Sequence, residues 1–267
     1  MKVFLTSATG YIGSAVADAL KAAGHQVIGL ARSDEAQGRL EARGIGAFRG
    51  DLNNASRVAE AAREADAVIH TASTNDANMA SADRNAVEAI LGALEGTNKP
   101  FIYTSGIWVI GDTSEIADET SSINPTPLIA FRPAVEEIVL AASYRGVRTV
   151  VLPNGMVYGR GGGVFTSWVQ SAKQKGAAEV VGTGENYWAV IHVDDLADLY
   201  ILALEKAPAL PLLIAASDNA VVGEMAAAAS RGAGAGGKIE IVPLETARQF
   251  MGVYADAKSV KSASFWG

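Results

Sequence analysis

The sequence predicts an α/β protein built on a doubly wound parallel sheet, and two features of the chain support this prediction. Short apolar runs without polar alternation recur through the first 150 residues, as expected of strands that are buried on both faces. Between these runs lie Ala-rich segments whose apolar residues are three and four positions apart, the spacing of amphipathic helices. Because strands alternate with helices, the strands are expected to run parallel with right-handed crossovers.

The individual elements follow from the same two patterns. The predicted strands are KVFLT (2–6), QVIGL (26–30), DAVIH (66–70), KPFIYTS (99–105) and VRTVVL (147–152), with LLIAAS (212–217) as a candidate last strand. The predicted helices are SAVADALKAAG (14–24), SRVAEAAREA (56–65), NAVEAILGALEG (85–96) and VDDLADLYILALEKA (193–207). Asp194 or Asp195 is expected to cap the last of these helices. The Gly-rich segment RGAGAGGK (231–238) follows a helix-like segment, so it is interpreted as a helix exit and loop.

The composition argues against several function classes. The chain has no cysteine, which excludes disulfides, thiolate nucleophiles and cysteine metal sites, and its three histidines (25, 70 and 192) are too far apart to suggest a metal site. A net charge of −7 argues against nucleic acid or an anionic membrane as the main partner. No apolar run reaches the roughly 18 residues of a membrane span, and the N-terminus lacks a signal-peptide core. A cytoplasmic protein is therefore expected.

A glycine-rich turn joins the first strand to the first helix. In TSATGYIG (6–13), Gly10 allows close approach of a phosphate to the backbone, and Gly13 allows the helix to pack closely on the strand. Such a turn offers free backbone N–H groups together with the positive end of the helix dipole. Its place between a clear strand and a clear helix predicts a dinucleotide site.

This turn resembles the TGxxGxxG motif of the extended short-chain dehydrogenase/reductase family, which includes sugar-nucleotide epimerases and dihydroflavonol-type reductases. Other segments similar to the family are GDL (50–52), VIHTAS (68–73), MVYG (156–159) and VGTGENYWAVIHVDDLADLY (181–200). The resemblance extends to about residue 217. It implies a Rossmann fold over 1–158 and 188–218, and a small substrate-side lobe over 159–187 and 219–267.

The resemblance also implies which residues bind a nicotinamide cofactor. They are Ser7, Thr9, Gly10, Tyr11, Ile12, Gly13, Arg32, Ser33, Asp51, Leu52, Thr71, Ala72, Ser73, Arg132, Pro153, Asn154 and Gly155. Ser7 replaces the first glycine of the family motif, so it is either a harmless substitution whose hydroxyl can bond a phosphate or a change that weakens cofactor binding.

The end of the second strand predicts the choice of cofactor. An NAD site places a carboxylate there to accept hydrogen bonds from the ribose, but the matching residue is Ala31, followed by Arg32 and Ser33. An Arg suits a 2′-phosphate, because its paired donors grip phosphate oxygens. NADP is therefore predicted over NAD, and the alternative is that Asp34 or Glu35 accepts from the ribose.

The catalytic Tyr-x-x-x-Lys pair of the family has no match at the expected position. Alignment on Glu136 places Leu128 at the tyrosine position and Arg132 at the lysine position. No lysine lies between Lys99 and Lys173, so the lysine is missing under any alignment. The sequence 254–258 does have this spacing, but it lies outside the implied nucleotide fold and is interpreted as a coincidence.

Two residues remain as catalytic candidates. Ser105 lies beside Gly106, which occupies the family's catalytic serine position, and its hydroxyl either orients the substrate or satisfies local backbone. Arg132 can bond the nicotinamide ribose, but it is permanently protonated and cannot act as an acid. Its charge at a helix start requires a partner, either the ribose or Glu136. The candidate proton donors are Tyr103, Tyr158, His70, the substrate and water.

Two function classes follow from these observations. The first is an NADP(H)-binding oxidoreductase or epimerase-like enzyme that acts on a small carbonyl or alcohol with non-standard acid/base residues. The alternative is a non-catalytic NADP(H)-binding sensor or scaffold. The Ala-rich helices at 80–95 and 125–145 are expected either to pair two copies as a homodimer or to pack within one chain.

Overall fold

The computed structural model describes residues 1–206, 212–251 and 261–262. Its strands are β1 (Lys2–Leu5), β2 (Gln26–Ala31), β3 (Gly46–Arg49), β4 (Ala67–His70), β5 (Pro100–Gly106), β6 (Ile116–Ala117), β7 (Arg148–Asn154), β8 (Met156–Tyr158), β9 (Ala178–Val181), β10 (Tyr187–His192), β11 (Asp218–Val221), β12 (Ile239–Val242) and β13 (Lys261–Ser262). Its helices are α1 (Tyr11–Ala22), α2 (Asp34–Glu41), α3 (Ala55–Glu64), α4 (Met79–Leu94), α5 (Arg132–Ala141), α6 (Val164–Lys175), α7 (Val193–Lys206), α8 (Val222–Gly232) and α9 (Leu244–Met251). None of the helices in these ranges is long and apolar enough to cross a membrane.

The central sheet has six strands in the order β3-β2-β1-β4-β5-β7. The first five of these strands pair in parallel, with β1 between β2 and β4. The chain starts in the middle of the sheet, winds outward to one edge and then returns to build the other half. This order is that of a doubly wound Rossmann sheet, so the predicted fold class is confirmed.

The helices that cover the sheet bury the apolar faces that their sequences predict. In α4, Val87, Ile90, Leu91 and Leu94 are at most 2% exposed, and their spacing places them on one helix face. They form a core cluster with buried strand residues such as Phe101. Burial of each such side chain contributes about 1.5–3 kcal/mol to stability.

The chain divides into two compact units. The first comprises residues 1–105, 131–152 and 194–213, and the second comprises residues 106–130, 153–193 and 214–267. These limits differ from the predicted domains, because segments such as 106–130 and 188–193 belong to the second unit rather than to the nucleotide-binding part.

The second unit is built on small sheets and aromatic packing. Its sheets have the orders β11-β10-β8, β12-β9 and β13-β6. The rings of Trp168 and Trp188 stack with centroids 5.8 Å apart and an angle of 11°. The Gly-rich segment 231–238 is the exit of α8 and a loop, as predicted, with Gly234, Gly236 and Gly237 at positive φ.

Several sequence expectations differ from the structure. The segment 212–217 forms only isolated bridges, from Leu212 and Ala215 to β7, and is not a strand. Asp194 and Asp195 lie inside the first turn of α7, which begins at Val193, so they complement the helix dipole rather than cap the helix. The Tyr-x-x-x-Lys spacing at 254–258 lies outside the described residues.

Candidate functional site

The turn between β1 and α1 is closed so tightly that it requires glycine. The amide of Gly10 donates to the carbonyl of Ser7 over 3.0 Å. A Cβ atom on Gly13 would lie 1.9 Å from that same carbonyl oxygen, so no other residue fits there. Gly10 is also the N-cap of α1, and no side chain caps the helix. The start of α1 therefore has the geometry of an anion-binding helix terminus.

Two hydroxyl groups border this turn. The Oγ atom of Ser7 lies 2.5 Å from the position that a Cβ on Gly10 would take, so the serine fills the space beside Gly10. The Oγ1 atom of Thr71 is buried and has no hydrogen-bond partner in the part of the chain that the structure describes. It lies 3.0 Å from the Cβ position of Gly13. A buried hydroxyl without a partner beside an uncapped helix start fits a bound dinucleotide, and Thr9, Tyr11 and Ile12 lie on the same turn.

Arg43 supports the turn from just beyond the end of α2. Its guanidinium donates to the carbonyls of Ala8 (3.1 Å) and Ser14 (2.9 Å) and pairs with Asp18 at 2.6 Å. Sequence reasoning missed this residue, because its contacts are 25 to 35 positions away in the chain and no local pattern marks them.

The residues after β2 are the ones predicted to contact the adenosine part of the cofactor. Ala31 is buried, Arg32 is exposed, and Ser33 caps α2 by accepting a hydrogen bond from the amide of Ala36. Within the described ranges the side chain of Arg32 has no partner. The carboxylate of Asp34 pairs with Arg49 at 3.0 Å, which leaves it less suited to accept from a ribose.

Asp51 and Leu52 follow β3 as the family pattern implies. Leu52 is buried, and Asp51 is half-buried. The Oδ1 atom of Asp51 accepts from the amide of Asn53 over 2.8 Å and from its side chain over 2.9 Å. These bonds fix the carboxylate in a tight turn at the carboxyl end of the strand.

The end of β4 is tied to the end of β1 through Thr6. The Oγ1 atom of Thr6 accepts from the amides of Thr71 (3.1 Å) and Ala72 (3.2 Å). Ser73 lies beyond them on an exposed loop, where its hydroxyl donates to Asn75 over 3.1 Å. Three of the predicted cofactor residues, Thr71, Ala72 and Ser73, therefore lie directly after β4. The hydroxyl of Thr6 fixes the backbone of the first two.

Arg132 begins α5 and reaches into the interior. Its Nη1 atom donates to the hydroxyl of Tyr103 over 3.1 Å and to the carbonyl of Thr104 over 2.9 Å. Tyr103 in turn donates to Asp83 Oδ2 over 2.6 Å. An ion pair with Glu136, one of the two partners considered for Arg132, does not form in the described structure, and Asp83 is the carboxylate that this chain of hydrogen bonds reaches.

The hydrogen bonds of Thr6 determine the tautomer of His70. Because Thr6 Oγ1 already accepts two amide N–H groups, its own hydrogen must point to His70 Nδ1, which is 3.1 Å away. The proton of the neutral imidazole is then on Nε2, which donates to Asp83 Oδ1 over 3.1 Å. The protons of His70 and Tyr103 are both directed at Asp83. Both residues were candidate proton donors to the substrate, but in the structure each donates its proton to Asp83 instead.

The charges of this buried chain depend on each other. Burial raises the pKa of Asp83, but the hydrogen bonds from His70 and Tyr103 and the positive charge of Arg132 outweigh burial and hold the pKa below its usual range. Burial raises the pKa of the Tyr103 hydroxyl well above its usual value, although Arg132 opposes the shift. Asp83 is therefore the ionised group, and Tyr103 keeps its proton.

Ser105 is only 4% exposed, and its hydroxyl donates to Glu136 Oε1. Burial raises the pKa of Glu136, while the hydrogen bond from Ser105 and the charge of Arg132 partly offset that effect. The hydroxyl therefore bonds a side chain of α5 rather than the local backbone that was considered as its partner. The pair lies next to the end of β5, one helical turn beyond Arg132.

The remaining predicted residues lie around the end of β7, in the second unit. Asn154 is buried, and Gly155 packs so closely that an added Cβ would lie 2.7 Å from the carbonyl of Ala189. Pro153 precedes them. Tyr158 is half-buried and meets His192 edge-on at a centroid distance of 5.2 Å.

A model of the NAD dependent epimerase/dehydratase family matches residues 3–212. The chain belongs to this family.

Comparison with individual proteins agrees with the family match. An uncharacterized protein of Saccharomyces cerevisiae is 39% identical over 215 residues, which cover 77% of this chain and 71% of the relative. The 2-alkyl-3-oxoalkanoate reductase of Stenotrophomonas maltophilia is 28% identical over 221 residues, covering 77% of this chain and 66% of the reductase. The structure of the UDP-glucose 4-epimerase of Thermus thermophilus in complex with NAD is similar in fold, with a TM-score of 0.80 and 21% identity over 98% of this chain and 90% of the epimerase. The chain is thus an enzyme of the NAD(P)-dependent oxidoreductase and epimerase type.

Proposed function

We propose that the protein is an NADP(H)-linked oxidoreductase that interconverts a small carbonyl compound and its alcohol. The proposal rests mainly on the turn after β1, where Gly13 admits no side chain and the buried hydroxyl of Thr71 has no partner within the described residues. NADP is favoured over NAD because Ala31 supplies no carboxylate to the ribose and the exposed guanidinium of Arg32 suits a 2′-phosphate.

The substrate is proposed by analogy with a relative. The Stenotrophomonas protein is named for the reduction of 2-alkyl-3-oxoalkanoates, so 3-oxo acids are the substrates we expect this chain to accept. A small 3-oxo acid contains both the carbonyl that is reduced and a carboxylate that a cation can bind.

Arg132 carries the central role in the proposed mechanism. When bound, the nicotinamide supplies or accepts a hydride at the substrate carbon. A guanidinium at the start of α5 can bind a negatively charged group of the substrate or the nicotinamide ribose, but it does not release a proton. Because His70 and Tyr103 donate to Asp83, Tyr158, the substrate and water are the remaining proton sources. Ser105 acts on the substrate only if its hydroxyl turns away from Glu136.

Cofactor binding and turnover test this function separately. Nicotinamide fluorescence is titrated with the protein for NADPH and for NADH, and we expect tighter binding of NADPH. The NADPH complex is then mixed with a panel of aldehydes, ketones and 3-oxo acids, and loss of the reduced cofactor is followed. Binding without consumption of NADPH by any member of the panel would contradict the proposed activity, and equal binding of the two cofactors would contradict the NADP assignment.

A further inference from the structure

The guanidinium of Arg132 has one anchored side and one free side. Its Nη1 atom bonds the Tyr103 hydroxyl and the Thr104 carbonyl. Its Nε and Nη2 atoms have no hydrogen-bond partner in residues 1–206, 212–251 and 261–262. The residue as a whole is half-buried. A half-buried, permanently charged group with unused donors is a binding site for an acceptor.

The surroundings of Arg132 make that acceptor an anion. The first turn of α5 contains no acidic residue, and its N-cap, Phe131, makes no capping hydrogen bond. The positive end of the helix dipole therefore adds to the charge of the guanidinium. Glu136, the nearest carboxyl along the helix, accepts instead from Ser105. Within the described residues, no carboxylate oxygen forms a salt bridge with the Arg132 guanidinium nitrogens, although the charge of Arg132 acts on Asp83 and Glu136.

The anchored side is held rigidly by buried groups. Tyr103 has no exposed surface, and its ring stacks on His70 with a centroid distance of 5.9 Å and an angle of 7°. Asp83 fixes the direction of the Tyr103 hydroxyl and balances the charge of Arg132 through it. The guanidinium is thus oriented before a ligand arrives, which lowers the entropy that binding would cost.

We propose that the free side of Arg132 binds the carboxylate of the substrate, and that Asp83 and Tyr103 are positioning residues for this contact. Nε and Nη2 form the fork that donates to two carboxylate oxygens in parallel. This inference rests on the proposed function, because it concerns the substrate of the same site. It assigns Arg132 to the substrate rather than to the nicotinamide ribose.

Acetoacetate and methyl acetoacetate provide the test, because they share the ketone and differ in the charged group. In the wild type we expect kcat/KM with NADPH to be about 10- to 100-fold higher for the acid, the value of one charge-assisted contact. Arg132→Gln should remove this ratio, whereas Arg84→Gln, a change of an exposed arginine on α4, should keep it. Tyr103→Phe should lower the ratio through a higher KM for the acid, an effect that a merely structural role does not produce.

Two further measurements separate this inference from the proposed function. Binding of NADPH to Arg132→Gln is titrated directly: weaker cofactor binding with an unchanged ratio of acid to ester would show that Arg132 faces the cofactor, and the inference would be wrong. If the wild type turns over neither probe, acetoacetate is titrated into the protein with and without NADP⁺ while the Arg132 Nε–H resonance is followed by NMR. A shift that is present with the acid and absent with the ester supports the inference, and no shift with the acid overturns it.

Discussion

The hydroxyl of Tyr103 donates to Asp83 Oδ2 over 2.6 Å, although both residues are at most 3% exposed. This bond joins the middle of β5 to α4 in the interior of the first unit. The Tyr103 hydroxyl also accepts a hydrogen bond from Arg132, so it links the positive charge of Arg132 to the buried Asp83 carboxylate. The phenol hydroxyl of Tyr103 therefore contributes to the stability of this part of the molecule.

We expect Tyr103→Phe to lower the free energy of unfolding by about 1–3 kcal/mol, because it removes one of the donors that satisfy the buried carboxylate of Asp83. Denaturant unfolding of the two proteins at neutral pH measures the difference. Tyr144→Phe is the matched control, since Tyr144 is 94% exposed and its hydroxyl can bond water. Equal effects of the two changes would contradict the role of the Tyr103 hydroxyl.

Asp83 should contribute to the acid limb of the stability curve. Its pKa in the folded protein lies below the ordinary value of 3.8, so its contribution is complete above that value and is lost as the pH falls through the folded pKa. Asp83→Asn should be less stable than the wild type at neutral pH, and the difference should shrink under strongly acidic conditions. Urea unfolding over a series of pH values measures this, with Glu88→Gln on the exposed face of α4 as the control. A difference in stability between the two proteins that stays constant down to the lowest pH would contradict this role of Asp83.

Glu136 should act in the opposite direction. Burial raises its pKa above the ordinary value of 4.5, so its ionisation opposes folding, and stability falls as the pH rises from that value through the folded pKa. Glu136→Gln keeps the contact with Ser105 and removes the charge, so it should be more stable than the wild type at neutral and alkaline pH. The advantage should vanish in acid. Glu137→Gln, at an exposed neighbouring position, should show no such pH dependence in the same thermal scans.

Two glycines should respond differently to the same change. Gly13→Ala places a Cβ 1.9 Å from the carbonyl oxygen of Ser7, so we expect a lower melting temperature and loss of NADPH binding. Gly92 lies within α4, and a Cβ there meets nothing within 4 Å. Gly92→Ala should therefore raise stability by up to about 1 kcal/mol through better helix propensity. Calorimetry and cofactor titration of both variants give the comparison, and normal NADPH binding by Gly13→Ala would remove the turn from the proposed site.

Arg32 should determine the preference between the two cofactors. Arg32→Ala is expected to weaken NADPH binding by about 1.5–3 kcal/mol, the value of one charge-assisted contact, and to leave NADH binding unchanged. Arg63→Ala changes an exposed arginine of α3 and serves as the control for net charge. If both arginine variants lose NADPH affinity equally, the preference comes from overall charge and not from a contact.

The repeating patterns predicted the central sheet well. Buried strands such as β1 and β4 each contain three consecutive apolar residues, and the boundaries expected for α3 and α7 differ from the structure by one residue. The strand β3 was not predicted, because GAFR is short and none of its four residues is buried. Its place in the sheet comes from pairing with β2, which is a tertiary effect that the local pattern does not contain.

The candidate site was predictable where a motif is local and unpredictable where it is built from distant residues. The turn at Gly10 and Gly13 was found because its spacing is contiguous. The link from Thr6 to His70 and Asp83 spans 64 and then 13 positions, and each member alone resembles an ordinary strand or helix residue. For the same reason, the only carboxylate considered for Arg132 was Glu136, one turn away, whereas the structure links Arg132 through the Tyr103 hydroxyl to Asp83 on another helix.

The stacked indoles of Trp168 and Trp188 have a practical consequence for spectroscopy. The chain has four tryptophans, at positions 108, 168, 188 and 266. The first three lie in the second unit, the fourth lies outside the described residues, and the segments of the first unit contain none. Emission from the three described tryptophans therefore reports on the second unit, and the stacked pair should contribute to the dichroism spectrum of that unit. Melting of the nucleotide-binding sheet has to be followed by amide dichroism or by release of a fluorescent cofactor.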